Sequence, residues 1–138
     1  MIITVASTKG GVGKSTITVN IAVAMAASGH TVIVDTDRQG SAGKWSRERT
    51  ALPAVPVMSI HENVEKTVRK LNEQYDHVVV DSGGYDSLAM REALVVADVA
   101  LIPTKATQSD AWELGDSMAL KVLEAKKANH ALRPIVVV

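Results

Sequence analysis

Ten residues near the start of the chain constrain it most. Ser7-Thr8-Lys9-Gly10-Gly11-Val12-Gly13-Lys14-Ser15-Thr16 lies between an apolar segment, Ile2–Val5, and an Ala-rich segment that reads as a helix over Lys14–Ser28 and stops at Gly29. A glycine-rich loop between a strand and a helix is where a phosphate loop must sit. Glycines accept positive φ and let several backbone N–H groups converge on one anion. The helix starting near Lys14 adds the positive end of its dipole. Lys14 supplies a point charge to the β- and γ-phosphates, and the Ser15 hydroxyl is a hard oxygen ligand for Mg²⁺. Thr16 is placed to bond the α-phosphate.

The rest of the chain continues the alternation. Ile2–Val5, Thr31–Val34, Val55–Ile60, His77–Val80, Val99–Ile102 and Ile135–Val138 read as strands. They are nearly continuous apolar runs, the pattern of strands buried on both faces of a parallel sheet. Between them, Glu62–Gln74, Ser87–Ala97 and Asp110–Ala128 read as helices, with Val64, Val68 and Leu71 on one stripe and Leu114, Met118 and Val122 on another. Strand and helix in turn predict an α/β fold: a doubly wound, mostly parallel sheet with helices on both faces. The 138 residues read as one domain, 1–138. Because the pattern stops on a strand, the domain is expected to lack its C-terminal part, after the sixth strand.

Composition narrows the chemistry. There is no Cys, which excludes a disulfide framework, a Cys-ligated metal site and a thiol nucleophile. Phe is absent too, so the core has to be aliphatic. Fifteen Lys and Arg balance fifteen Asp and Glu, so no global basic field draws the chain to nucleic acid. No apolar run approaches a membrane span, and no signal peptide is read at the start, so the expected location is cytoplasmic.

Two further motifs end strands in carboxylates. Val34-Asp35-Thr36-Asp37-Arg38-Gln39-Gly40-Ser41 carries two of them two residues apart, and His77-Val78-Val79-Val80-Asp81-Ser82-Gly83-Gly84 ends an apolar run in Asp81. Both emerge at the carboxyl edge of the sheet, where ligands of open α/β folds bind. An Asp there suits Mg²⁺, a hard cation that keeps its hydration. Two glycines after Asp81 predict a loose loop.

Together these residues carry a family resemblance. Thr8 stands where the general phosphate loop has its first Gly, and Lys9 opens the loop with a second lysine. This deviant Walker A pattern resembles the ParA/MinD family of P-loop ATPases, most closely the small plasmid partition ParA proteins. The resemblance covers essentially the whole chain and implies a Mg²⁺-dependent ATPase whose ATP-bound form is a homodimer. It implies that Lys9 reaches across the dimer to the partner's nucleotide, a trans charge like an arginine finger. Lys9, Gly10, Gly11, Val12, Gly13, Lys14, Ser15 and Thr16 would then hold ATP, and Ser15 and Asp81 would hold Mg²⁺. Lys9, Lys14 and Asp37 would serve catalysis, Asp37 positioning the attacking water in switch I with Asp35 in support. Arg38 stands where the family usually has Pro. Adenine rather than guanine is implied by the resemblance alone.

The implied partners are a second copy, DNA bound without sequence preference, and a ParB-like centromere-binding protein, with the ATPase on the nucleoid and no stable membrane association. A MinD-like ATPase that cycles on the membrane and a nucleotide-binding module without turnover are the alternatives. The DNA contacts would come from basic patches doubled in the dimer: Lys44, Arg47 and Arg49; Lys66, Arg69 and Lys70; or Lys121, Lys126 and Lys127. Each patch also reads as an ordinary solvated face. Trp45 reads equally as a family feature and as a helix residue packed on the sheet edge. Trp112 reads as core rim or dimer surface. The four histidines share no ligand spacing.

Overall fold

The computed structural model describes residues 1–51 and 53–138. Its strands are β1 (Ile2–Val5), β2 (Thr31–Asp35), β3 (Val57–Ser59), β4 (His77–Asp81), β5 (Val99–Pro103) and β6 (Arg133–Val137). They form one sheet in the order β3-β2-β4-β1-β5-β6, every neighbouring pair parallel. The chain therefore winds outward from β1 in both directions, as the alternating pattern predicts.

The helices are α1 (Lys14–Ala26), α2 (Ser41–Glu48), α3 (Val64–Asn72), α4 (Leu88–Val96), α5 (Gln108–Glu113) and α6 (Ala119–Ala128), with a π-helical turn, Leu114–Met118, joining α5 to α6. Strand alternation divides the core between them. Val32, Val34, Val78 and Val80 meet Val68 and Leu71 of α3, Met90 and Leu94 of α4, and Val122 of α6. Ile33 and Val79 point the other way, with Val19 and Ala22 of α1 and Ala42 of α2. Helices thus cover both faces.

Several sequence expectations need correction. The two edge strands are not buried runs. β3 is cut to three residues and is largely open, and in β6 Ile135 and Val136 are each about half exposed, at 48% and 47%. An edge strand has one neighbour, and apolar composition does not reveal that. α2 agrees with the reading of Trp45 as a helix residue, although Gly43 and five polar side chains in eight residues give the segment little intrinsic helix preference. Trp45 and Ala42 on the inner sheet cluster hold it in place.

Gly29 does not terminate α1. The helix ends at Ala26, and of the described glycines only Gly11, Gly13 and Gly40 have positive φ. Gly29 is instead small because a Cβ there would lie 2.9 Å from the Asp76 side chain. The expected helix Asp110–Ala128 is three pieces, the first of which starts earlier, at Gln108, with Thr107 as its N-cap. The Thr107 hydroxyl accepts from the Asp110 N–H at 3.2 Å.

Candidate nucleotide site

The strand register gathers the three motifs. Val5, Asp35 and Asp81 stand side by side, since Asp81 pairs with Val5 on one flank and with Asp35 on the other. The loops leaving β1, β2 and β4 therefore share one stretch of the carboxyl edge. Between them lies a cleft of about 270 Å³ lined by Gly10, Gly11, Gly13, Lys14, Ser15, Thr16, Asp37, Ser41 and Gly84.

The loop residues are arranged for an anion. Gly13 is the N-cap of α1 with φ 89°, and no side chain caps the helix. The first-turn N–H groups thus have no intrahelical partner and face the cleft end of the dipole. The Lys14 ammonium donates to the Lys9 carbonyl at 3.1 Å. Burial pulls its pKa below the usual lysine value, while Asp81 and Asp37 act in the opposite sense.

Asp81 is fully buried, and neither carboxylate oxygen has a hydrogen-bond partner among the described residues. Burial pushes its pKa up to about 6; the nearby Ser15 hydroxyl softens this and Asp35 adds to it. Two orphaned anionic oxygens beside a hydroxyl fit Mg²⁺, which binds through one or two protein oxygens and completes its shell with phosphate and water.

The switch I carboxylates have different tasks. Asp35 is fully buried: its Oδ1 accepts from the Asp37 N–H at 3.0 Å and its Oδ2 from the Gly43 N–H at 3.3 Å. It ties β2 to both the switch loop and α2. Burial raises its pKa, opposed by those N–H groups. Asp37 is half-buried, lines the cleft, and accepts from the Gln39 N–H at 3.0 Å, leaving carboxylate capacity free.

Two of the expected nucleotide residues lie elsewhere. Lys9 and Val12 line a small crevice against α5 and the π turn. The Lys9 ammonium sits 2.8 Å from Asp110 Oδ1 and 3.4 Å from Ser109 Oγ. The Thr8 hydroxyl donates to Glu113. Both residues that open the loop are thus fastened to α5 within this one chain. Spacing did not foretell that clasp, because the partners are about a hundred residues away. Gly84, read as part of a loose loop, lies against the phosphate loop. Trp112 is 62% exposed and is not core rim. Trp45 packs on the cluster under α1 and α2, with the Arg49 guanidinium 5.3 Å above its ring.

Similarity to known proteins agrees with this geometry. The chain is 34% identical over 134 residues to the maintenance of carboxysome distribution protein A of Gloeobacter kilaueensis, covering 95% of this chain and 61% of that protein. It is 28% identical to the protein ParA of Rhizobium radiobacter, covering 99% and 63%. It thus spans about three fifths of the length of these curated relatives. A putative plasmid partition protein of Borrelia burgdorferi, solved with AMPPNP, superposes with a TM-score of 0.79 at 21% identity over 99% of this chain and 73% of that one, a likeness of fold. Residues 3–138 match the family described as the CobQ/CobB/MinD/ParA nucleotide binding domain, and this chain belongs to that family.

Proposed function

We propose that the chain is the nucleotide-binding part of a Mg²⁺-dependent ATPase of the ParA type, whose ATP-bound dimer holds DNA without sequence preference and so distributes a cargo in the cell. The observation that carries this reading is the convergence of Lys14 and Asp37 on one cleft under the uncapped start of α1, with the buried Asp81 carboxylate close enough to act on the Lys14 ammonium. Lys14 and the loop N–H groups take the phosphates. Ser15 and Asp81 would hold Mg²⁺, which supplies charge neutralisation to the β- and γ-oxygens. Asp37 orients the attacking water and accepts its proton. Lys9 acts in trans, and to do so it exchanges Asp110 for the partner's nucleotide.

Plasmid or chromosomal DNA segregated with a ParB-like partner is the first cargo assignment, with a cytoplasmic, nucleoid-associated location. A protein body is the second, favoured by the relative named for carboxysome distribution. No helix among the described residues is long and apolar enough to cross a membrane. The test is titration with ATP and with GTP, with and without Mg²⁺, then sedimentation and retention on non-specific DNA. Mg²⁺-dependent ATP binding that produces a dimer and retention on DNA is expected. Absence of nucleotide binding overturns the reading, and membrane pelleting in place of DNA retention overturns the cargo assignment.

A further inference from the structure

The peptide that joins Thr36 to Asp37 carries the switch I carboxylate of the cleft, and it is held at both ends. Its N–H, that of Asp37, donates to Asp35 Oδ1 at 3.0 Å. Its carbonyl, that of Thr36, lies 3.3 Å from Nδ1 of His61. Thr36 is itself buried, and its own N–H and hydroxyl both donate to the Asp81 carbonyl, at 2.9 and 3.1 Å. Past Asp37 the turn closes on itself, with the Gly40 N–H donating to the Asp37 carbonyl at 2.9 Å. A planar peptide fixed at both its N–H and its C=O has no free rotation, so the Asp37 side chain leaves it in one direction.

Of these partners His61 alone stands outside the strand-end motifs, and it is exposed. It reaches switch I because β3 is short. Ser59, the last residue of β3, pairs with Asp35, the last of β2. The Ile60 N–H then donates to the Asp35 carbonyl at 3.0 Å, which carries the chain past the end of β2. The next residue, His61, therefore comes beside the loop that β2 runs into. A carbonyl only accepts, so the tautomer that makes this bond carries its proton on Nδ1.

Resting on the reading of Asp37 as the group that orients water, we propose that His61 is a positioning residue for hydrolysis: it holds the Thr36–Asp37 peptide from outside the cleft and so aims the Asp37 carboxylate. The cleft is lined by the phosphate loop, Asp37, Ser41 and Gly84, without His61, so the imidazole acts through that peptide alone. Losing the bond frees the Thr36 carbonyl and leaves Lys14, Ser15 and the loop glycines as they are. Nucleotide binding therefore does not depend on His61. In-line attack does, because a misplacement of about 1 Å costs ~10²-fold in rate.

The test is single-turnover ATP hydrolysis by the full chain with Mg²⁺, with ATP affinity measured alongside by calorimetry. His61→Ala is expected to slow hydrolysis about tenfold to a hundredfold and to keep ATP affinity within about twofold. His61→Asn, whose Nδ2 donor takes the place of the ring Nδ1, is expected to recover most of the rate. Adding His61→Ala to Asp37→Ala should slow the reaction no further, because the peptide then has no carboxylate to aim. An unchanged rate in His61→Ala, an equal loss of binding and hydrolysis, no recovery in His61→Asn, or an undiminished effect in the double variant overturns the proposal. Asp37→Ala that turns over like wild type overturns the water-orienting reading and the proposal with it. A dead Asp37→Ala beside a fully active His61→Ala overturns the proposal alone. Should His61→Ala not fold, nitrogen NMR of the wild-type imidazole decides. The neutral ring is expected to hold its proton on Nδ1, and a proton on Nε2 refutes the bond.

Discussion

Asp81 is costly to ionise, and that cost sets a pH dependence. Its folded pKa of about 6 lies above the usual 3.8, so the folded state holds this proton more tightly than the unfolded chain does. Nothing is lost below about pH 4, where both states are protonated. Stability falls as pH rises toward and through 6, by about 3 kcal/mol. Asp35 is shifted in the same direction and adds to the trend. Urea unfolding without nucleotide should therefore show greater stability near pH 5 than at pH 7.5. Asp81→Asn should flatten that slope and abolish Mg²⁺-dependent nucleotide binding. A second residue-scale prediction separates the switch I pair. Asp37→Ala should keep ATP binding and lower single-turnover hydrolysis by ~10²–10⁴, or roughly 3–5 kcal/mol in barrier. Asp35→Ala should cost less in hydrolysis and more in stability, because it unties two backbone N–H groups while never facing the cleft. Reversed effects, read by stopped-flow and by denaturation of both variants, would reverse the assignment.

At the scale of elements, α5 is a clasp on the phosphate loop. Asp110 is pulled below the ordinary carboxylate range first by its hydrogen bond from Lys9 and then by that from Thr107. That stabilisation is present at neutral pH and is lost as pH falls through the lowered value. Since Lys9 is 39% exposed, the ion pair adds little to stability. Its larger effect is to keep the ammonium at home. Asp110→Ala should leave the melting temperature nearly unchanged and lower the ATP concentration needed for half-maximal dimerisation several-fold, as read by sedimentation velocity. A need for more ATP would show that the pair positions Lys9 rather than restraining it. The packing of α4 allows a blunter check. Leu94 is fully buried between α4 and the sheet, so Leu94→Ala should cost roughly 2–5 kcal/mol in unfolding free energy.

For the molecule as a whole, electrostatics and topology act separately. Net charge is zero, so the proposed DNA retention would have to come from local patches doubled in the proposed dimer. Two of the basic groups on α6 are already engaged: Lys121 with Ser117 and Asp86, and Lys126 with the Leu132 carbonyl. Arg69 on α3 is likewise paired with Glu65, and the Arg49 guanidinium beside α2 lies over the Trp45 ring, so engagement does not rank the three faces. Binding of the ATP-bound dimer to non-specific DNA should fall steeply with salt, with a log–log slope near −0.9 per phosphate neutralised. A salt-insensitive interaction would remove DNA from the partners.

Much of this was determined by the sequence itself. The loop from Ser7 to Thr16, the Asp-terminated runs at Asp35 and Asp81, and the alternation of strand and helix depend on local chemistry. A phosphate cradle needs its glycines and lysine consecutively, and a βαβ unit needs its elements in turn. Those signals survive in one dimension. What the tertiary structure alone decided involves residues far apart in sequence. The order β3-β2-β4-β1-β5-β6 makes β6 an exposed edge although its run Ile135–Val138 is as apolar as a central strand. The α5 contact turns Lys9 away from the cleft, across a hundred residues of chain. Gly84 reads as slack beside Gly83 until the fold brings it against Gly10, and only then does the missing side chain become a steric requirement. Each of these depends on distances across the sheet edge, which no local pattern of residues encodes.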